Sequence, residues 1–264
     1  MMGRSWTLTG LEFSVLWEDL REVSLPAPFT YLSDARSFSE WEREERDARS
    51  HLQSVDKYGL GDVLDIVARP DLQVVLHAWD PRAGNDPATH IRLHAVRRGP
   101  RTYLLQQLPG ESVQHSGGFT ITECGHLALA ELIAARLPDR EPGRFDSLPI
   151  PGGKSLEANP GESLVRELPD DPQTAAGVEF IRKPKELTGA VEVRQGLSPL
   201  GPKYRARRGF WLYDLVDDGR YLVIPGRQHY AVGVDTSKIS DRINTLTAEV
   251  IAAITEQRRG VAPN

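Results

Sequence analysis

The chain has 264 residues, 39% hydrophobic and 26% charged, with a formal net charge of −5 and a pI near 5.8. This is the composition of a globular protein long enough for one large core or two smaller ones, and it argues against a general nucleic-acid or anionic-membrane binder. One cysteine, Cys124, excludes an intrachain disulfide and fits a reducing, cytoplasmic setting, and no apolar run approaches bilayer length.

In chain order, the N-terminal stretch is too charged and amphipathic for a signal peptide. Residues 8–20 predict a short helix capped by Thr9, with Leu11, Val15 or Leu16, and Leu20 on one face and Phe13 and Trp17 beside them. Leu25-Pro26-Ala27-Pro28 breaks it, and 29–32 predict a short strand. The charged run 37–52 suits a solvated helix with Glu and Arg at supporting offsets. Residues 59–68 predict another helix with Leu60, Val63, Leu64 and Val67 as its stripe; Pro70 ends it, and 72–79 (LQVVLHAW) is a strand. The polar stretch 80–89, DPRAGNDPAT, is longer than a minimal hairpin needs, and reads either as a tolerated surface insertion or as a recognition loop.

Strand 91–97, the turn Arg98-Gly99-Pro100 and strand 103–108 form a hairpin, followed by a third short strand around 112–115. A helix is predicted over 120–137, with Thr120 and Glu123 at capping-box spacing, Leu129, Leu132, Ile133 and Leu137 on its stripe, and Pro138 as its stop. The proline- and glycine-rich 138–161 is a surface connector pinned by Phe145 and Leu148. Helices over 161–168 and 172–182 follow, the second capped by Asp171, then a strand over 187–195 and a loop over 196–208 carrying Lys203, Arg205, Arg207 and Arg208. A second hairpin, 210–216 and 221–224, turns at Asp218-Gly219, a dipeptide suited to positive φ, and stops at Pro225. Both faces of its first strand are apolar, so it is either central and covered twice, or covered once and open to a partner. Strand 229–234 and an amphipathic helix over 237–257, with Ile239, Ile243, Leu246, Val250 and Ile254 on one stripe, complete the pattern; the last residues, RRGVAPN, are expected to be disordered.

Hairpin, short strand and long helix thus occur twice. The fold class is α+β: a quasi-two-fold repeat of two αβ halves, about 7–137 and 160–257, joined by a connector over 138–159 within a single domain, 1–264.

Chemistry is sparse. Cys124 and His126 are two apart, a spacing that does not bring them together on a helix, though a helix start lowers a thiol pKa. His77, His90 and His94 are able to share a sheet face but have no acidic or cysteine ligand beside them. Gly152-Gly153-Lys154 lacks the phosphate-loop frame, turn chemistry accounts for Asp217 and Asp218, and no nucleophile elbow or dinucleotide fingerprint is present. A small-molecule enzyme using Cys124 and His126 stays open as an alternative; nucleic-acid binding through the basic run 203–208 is disfavoured by the acidic pI.

The order of motifs carries more. LTGLEFSVLWEDL, LPAPF, the charged helix, GLGDVLDIVARPDLQVVL, RFDSLPIP, the GRYLVIP hairpin and the terminal helix together resemble the EspG family over roughly residues 7–254. These are cytosolic chaperones of type VII (ESX) secretion in actinobacteria. The resemblance implies a central, largely antiparallel sheet flanked by helices, with a C-terminal helical bundle. It implies a non-enzymatic protein without cofactor that binds the hydrophobic tip of helical PE–PPE-type heterodimers, keeps them soluble and delivers them to the secretion machinery. Neither nucleic-acid binding nor membrane insertion is expected. By position, the partner-binding residues become Trp79, Asp80, Arg82, Asn85, Asp86, His94, Trp211, Tyr213, Ile243 and Leu246.

Overall fold

The computed structural model describes residues 3–20, 24–54, 59–151 and 172–261. Among these residues ten strands form one sheet: β1 (Ser5–Leu8), β2 (Leu72–Trp79), β3 (Ile91–Arg98), β4 (Arg101–Pro109), β5 (Ser116–Cys124), β6 (Leu148–Ile150), β7 (Lys185–Gln195), β8 (Arg207–Leu215), β9 (Arg220–Ile224) and β10 (His229–Gly233). Their order is β1-β5-β4-β3-β2-β7-β8-β9-β10-β6, and every neighbouring pair is antiparallel. The seam is the β2–β7 ladder, in register from Leu72↔Gln195 to Trp79↔Thr188.

Among the described residues six helices accompany it: α1 (Gly10–Asp19), α2 (Phe38–Ser54), α3 (Leu60–Ala68), α4 (Leu129–Ala134), α5 (Pro172–Arg182) and α6 (Thr236–Val261). Because strand side chains alternate, the central strands bury two different sets of residues. On one face Leu76, Leu93, Leu104, Val191, Phe210, Leu212 and Leu222 pack under α4 and α6 in a continuous core. On the other face there are two separate cores. Phe13, Trp17, Leu64, Tyr103, Leu105 and Phe119 gather beneath α1 and α3 at one end. Phe180 of α5 gathers Leu148, Ile150, Leu215, Tyr221 and Val223 at the other. The middle of that second face lies between them.

α1 starts as its sequence dictates. Thr9 Oγ1 accepts from the Glu12 amide at 3.1 Å and Glu12 Oε2 accepts from the Thr9 amide at 2.9 Å, a reciprocal cap. α2 lies outside α1, tied by Arg49–Asp19 at 2.7 Å and His51–Glu12 at 2.7 Å. The stripe of α6 is the expected one, and Ile239, Ile243, Leu246 and Val250 are all buried.

Several expectations are corrected. Residues 120–124 are strand, not helix: Phe119 and Ile121 are buried at period two, and β1, which local pattern does not announce, pairs with this stretch through Leu8↔Phe119. The helix that remains is α4, and Thr120 and Glu123 cap nothing. Residues 112–115 form a turn in which Ser112 and His115 bond each other, backbone and side chain. Residues 29–32 are irregular; the Gln107 amide mimics a ladder partner there, its Oε1 accepting from the Thr30 amide at 2.9 Å and its Nε2 donating to the Thr30 carbonyl at 3.0 Å. The hairpin turn takes its positive φ at Asp217 (57°), not at Gly219. Gly219 is required for another reason: a Cβ there would sit 2.6 Å from Pro142, which crosses the turn as Arg220 pairs with Glu141 and Gly143. Among the described residues the C-terminal element is one helix paired with α4, not a bundle, and it continues through Arg258 to Val261 where disorder was expected. The helix expected over 161–168 and its neighbour's cap, Asp171, lie outside the described residues.

Candidate partner-binding site

The 80–89 loop is ordered by its own sequence. It holds Asp-Pro twice, and each pair starts a 3₁₀ turn, Pro81–Ala83 and Pro87–Thr89. Asp80 Oδ1 accepts from the Arg82 amide and Asp86 Oδ1 from the Ala88 amide, both at 2.9 Å, while each proline supplies a preset φ. Arg82 closes back on Asp80 at 2.8 Å and reaches Glu186 at 3.2 Å, which Arg140 holds at 2.8 Å from the far side. The Arg82 guanidinium keeps the Asp80 carboxyl below its ordinary range. Arg82, Asn85 and Asp86 are exposed and project from the end of the β2–β3 hairpin.

At the loop's base, Trp79 stacks on His90 (centroids 6.1 Å, planes 14° apart) and leans on His77 at 5.0 Å, while His77 Nε2 and His90 Nδ1 share a hydrogen bond of 3.2 Å. Burial, then the charge of Arg92, pushes the His77 pKa down to about 4, and the same two causes lower that of His90. The pair is therefore neutral at pH 7, a polar but uncharged foot for the loop.

The register carries this surface across the seam. Trp79 faces Thr188, which faces Tyr213; His77 faces Ala190, which faces Trp211. Strands lie about 4.8 Å apart, so Trp79 and Tyr213 are roughly 10 Å apart at their backbones with only Thr188 between them. Ala190 is exposed, although β7 is a central strand of a ten-stranded sheet. Trp79, Tyr213 and Trp211 are half-buried, each with one side supported: Tyr213 by Phe180 and Lys185, Trp211 by His229. The result is a shallow trough with a floor of small side chains and aromatic walls, flanked by the two separate cores and overlooked by the 80–89 loop. Gly189, on the opposite face, lets β7 approach β2 closely, since a Cβ there would lie 2.6 Å from that of Ala78.

The residues expected at the site therefore divide. Trp79, Asp80, Arg82, Asn85, Asp86, Trp211 and Tyr213 reach the surface around the trough or its loop. His94, Ile243 and Leu246 do not. His94 has no exposed surface and its Nδ1 donates to the Ala27 carbonyl at 2.6 Å; Ile243 and Leu246 are 1% exposed because α6 turns its apolar stripe onto the sheet. Ala190 and Thr188 are the residues local pattern misses, because small side chains in a strand carry no signal until register sets large ones beside them.

The rival chemistry finds no support. Cys124 ends β5, its thiol is turned toward the Thr102 carbonyl, and burial pushes its pKa up to about 11, opposite to what a nucleophile needs. His126 is exposed beyond it. Among the described residues no group of three His, Cys, Asp or Glu side chains is placed to hold a metal ion, and no helix is long and apolar enough to cross a membrane.

The EspG family model matches residues 9–244. The chain belongs to the EspG family. No curated protein matches this EspG-family chain. Among solved structures it is similar to the type VII secretion system chaperone EspG5 of Mycobacterium tuberculosis, determined in complex with a PE25–PPE41 dimer. The TM-score is 0.58 at 13% identity, covering 92% of this chain and 95% of that one. At that identity the likeness establishes a shared mixed fold, a large antiparallel sheet flanked by helices.

Proposed function

We propose that this EspG-family protein is a cytoplasmic, non-enzymatic chaperone of type VII secretion. It binds the apolar tip of a helical PE–PPE-type heterodimer, keeps it soluble and passes it to the secretion machinery. Family membership and the partner of the EspG5 structure support this, and the observation that carries it is the exposed trough at Ala190. An antiparallel sheet can leave one face open to solvent; here the open strip of β7 runs between aromatic walls, the form a ridge of helical side chains fits. Trp79, Trp211 and Tyr213 would supply most of the contact energy, and Asp80, Arg82, Asn85 and Asp86 would select the partner.

We further take residues 1–264 as a single domain of two related halves, about 7–137 and 160–257, joined by a connector over 138–159. The strand order supports the pairing: outward from the seam it reads β2-β3-β4-β5-β1 on one side and β7-β8-β9-β10-β6 on the other, and α4 and α6 lie on one face.

The test is co-expression with candidate PE–PPE-like pairs and measurement of complex mass by size exclusion with light scattering. A stable complex is expected, lost when 80–89 are shortened and lost when Ala190→Trp fills the trough, with far-UV dichroism unchanged in both variants. A complex that survives both changes would place the partner elsewhere.

A further inference from the structure

β8 is longer than its hairpin partner. β9 pairs only with Trp211–Asp214 and ends at Ile224 before Pro225, which has no amide to donate. In the first hairpin, by contrast, β3 is paired along Arg92–Arg98. Among the described residues, one edge of 207–210 is therefore open. The direction of its groups follows from alternation. The Ala206 carbonyl accepts from the Gln195 amide at 2.9 Å, so even-numbered residues turn their main-chain groups toward β7 and odd-numbered ones toward β9. Trp211 and Tyr213 meet Val223 and Tyr221; Arg207 and Gly209 extend past the end of β9. The Arg207 carbonyl is taken by the Arg208 guanidinium at 2.8 Å, leaving the Arg207 amide and both groups of Gly209 facing outward.

This edge opens into a groove of about 550 Å³ between Pro225 and α6, floored by Phe210 and Leu246 and reaching Ala190 and Trp211 of the trough. Its lining has a small positive excess. Arg207, Arg208 and Arg242 line it against Glu192 and Glu249, with Lys203 and Arg205 just upstream. Glu249 is paired with Arg208 at 3.2 Å, while Glu192 lies 3.6 Å from Arg207 and 3.7 Å from Arg194 with its buried Oε1 lacking a hydrogen bond. The Nε atoms of Arg242 and Arg205 are buried without a partner. The guanidinium of Arg194 nearby has its pKa lowered, first by burial and then, against the pull of Glu192, by Arg207 and Arg205.

We propose that the notch between β8 and Pro225 is a strand-addition site for an extended, acidic peptide segment. The edge of 207–210 offers about 13 Å of unpaired backbone, enough for roughly four residues. Arg207 and Arg208 point to opposite faces of the strand, so acidic side chains at alternate positions of the peptide, which share one face, would meet one of the two. A second copy of this chain is disfavoured, because its own edge carries the same arginines. The proposal does not rest on the chaperone reading, but the groove shares Ala190 and Trp211 with the trough, and its test therefore uses Arg207 and Arg208, which the trough does not include.

The probe is a fluorescein-labelled hexapeptide of alternating glutamate and valine, followed by anisotropy with the full chain. Binding below about 1 mM is expected, weakened at least about tenfold by Arg207→Glu with Arg208→Glu. Two further peptides, N-methylated at the odd or at the even residues, supply a control that does not depend on variant folding. One added strand turns half its amides to β8 and half to solvent, so one methylated peptide should lose binding and the other keep it. Equal binding of the two, binding of a lysine–valine hexapeptide, preference for a single-stranded oligonucleotide, or no binding at about 1 mM would each overturn the proposal.

Discussion

The imidazole of His94 donates Nδ1–H to the Ala27 carbonyl, so Nε2 is the unprotonated end of a neutral ring, buried with no donor beside it. Burial pushes its pKa down to about 4, against an ordinary 6.5. Between those values the unfolded chain binds more protons than the folded one. This contribution is therefore absent as a penalty above about pH 6.5, grows as pH falls, and levels off below about 4. The whole loss is about 3 kcal/mol. Urea midpoints between pH 4 and 7 should fall accordingly, and His94→Asn, which keeps the donor but cannot titrate, should make the fall shallower, with His77, whose pKa is likewise about 4, supplying much of the remainder; an unchanged slope would count against His94 as a source. Cys124 follows the same logic with opposite sign. With a pKa of about 11, only about one thiol in a thousand is ionised at pH 8. Labelling by iodoacetamide should be at least about tenfold slower in the native protein than in urea, and fast native labelling would revive the enzyme alternative.

Among elements, the 80–89 loop is the one whose conformation is carried by two side chains. Asp80 and Asp86 each accept from a backbone amide two residues on, and removing such a cap costs about 1 kcal/mol. That cost should stay local, because the loop buries none of the three cores. Asp80→Ala with Asp86→Ala is expected to speed amide exchange over 82–90 and weaken partner binding, with the global unfolding midpoint nearly unchanged. A large drop in the midpoint would mean that the loop is part of the scaffold. β8 shows the other side of the same physics: its alternation commits Phe210 and Leu212 to the core under α6, and what is left for a partner is the opposite set, Trp211 and Tyr213.

At the scale of the molecule, the core under α4 and α6 takes residues from β2, β3 and β4 on one side of the seam and β7, β8 and β9 on the other. Neither half can lose its strands without exposing apolar surface of the other, so unfolding is expected to be cooperative. Far-UV dichroism and tryptophan emission should report coincident urea transitions; two separated steps would divide the chain into two domains. A single underlying core also explains how the sheet tolerates an open strip on its other face, since β7 is anchored by Leu187, Val191 and Val193 while Ala190 stays exposed.

By itself the sequence determined what depends on local pattern: the capped α1, the stripes of α3 and α6, strand β2 to the residue, both hairpins, and a long loop at 80–89. The ordered run of motifs is also a property of the sequence alone, and it resembles the EspG family. Only the tertiary structure decided what depends on partners distant in the chain. β1 and the strand identity of 120–124 exist because each pairs with the other, and neither carries enough local preference to show it alone. The trough exists because register sets Thr188 and Ala190 between aromatic residues from β2 and β8. His94, Ile243 and Leu246 fell into the core for the same reason: a side chain's face is set by which strand or helix lies across from it, and that information is not local.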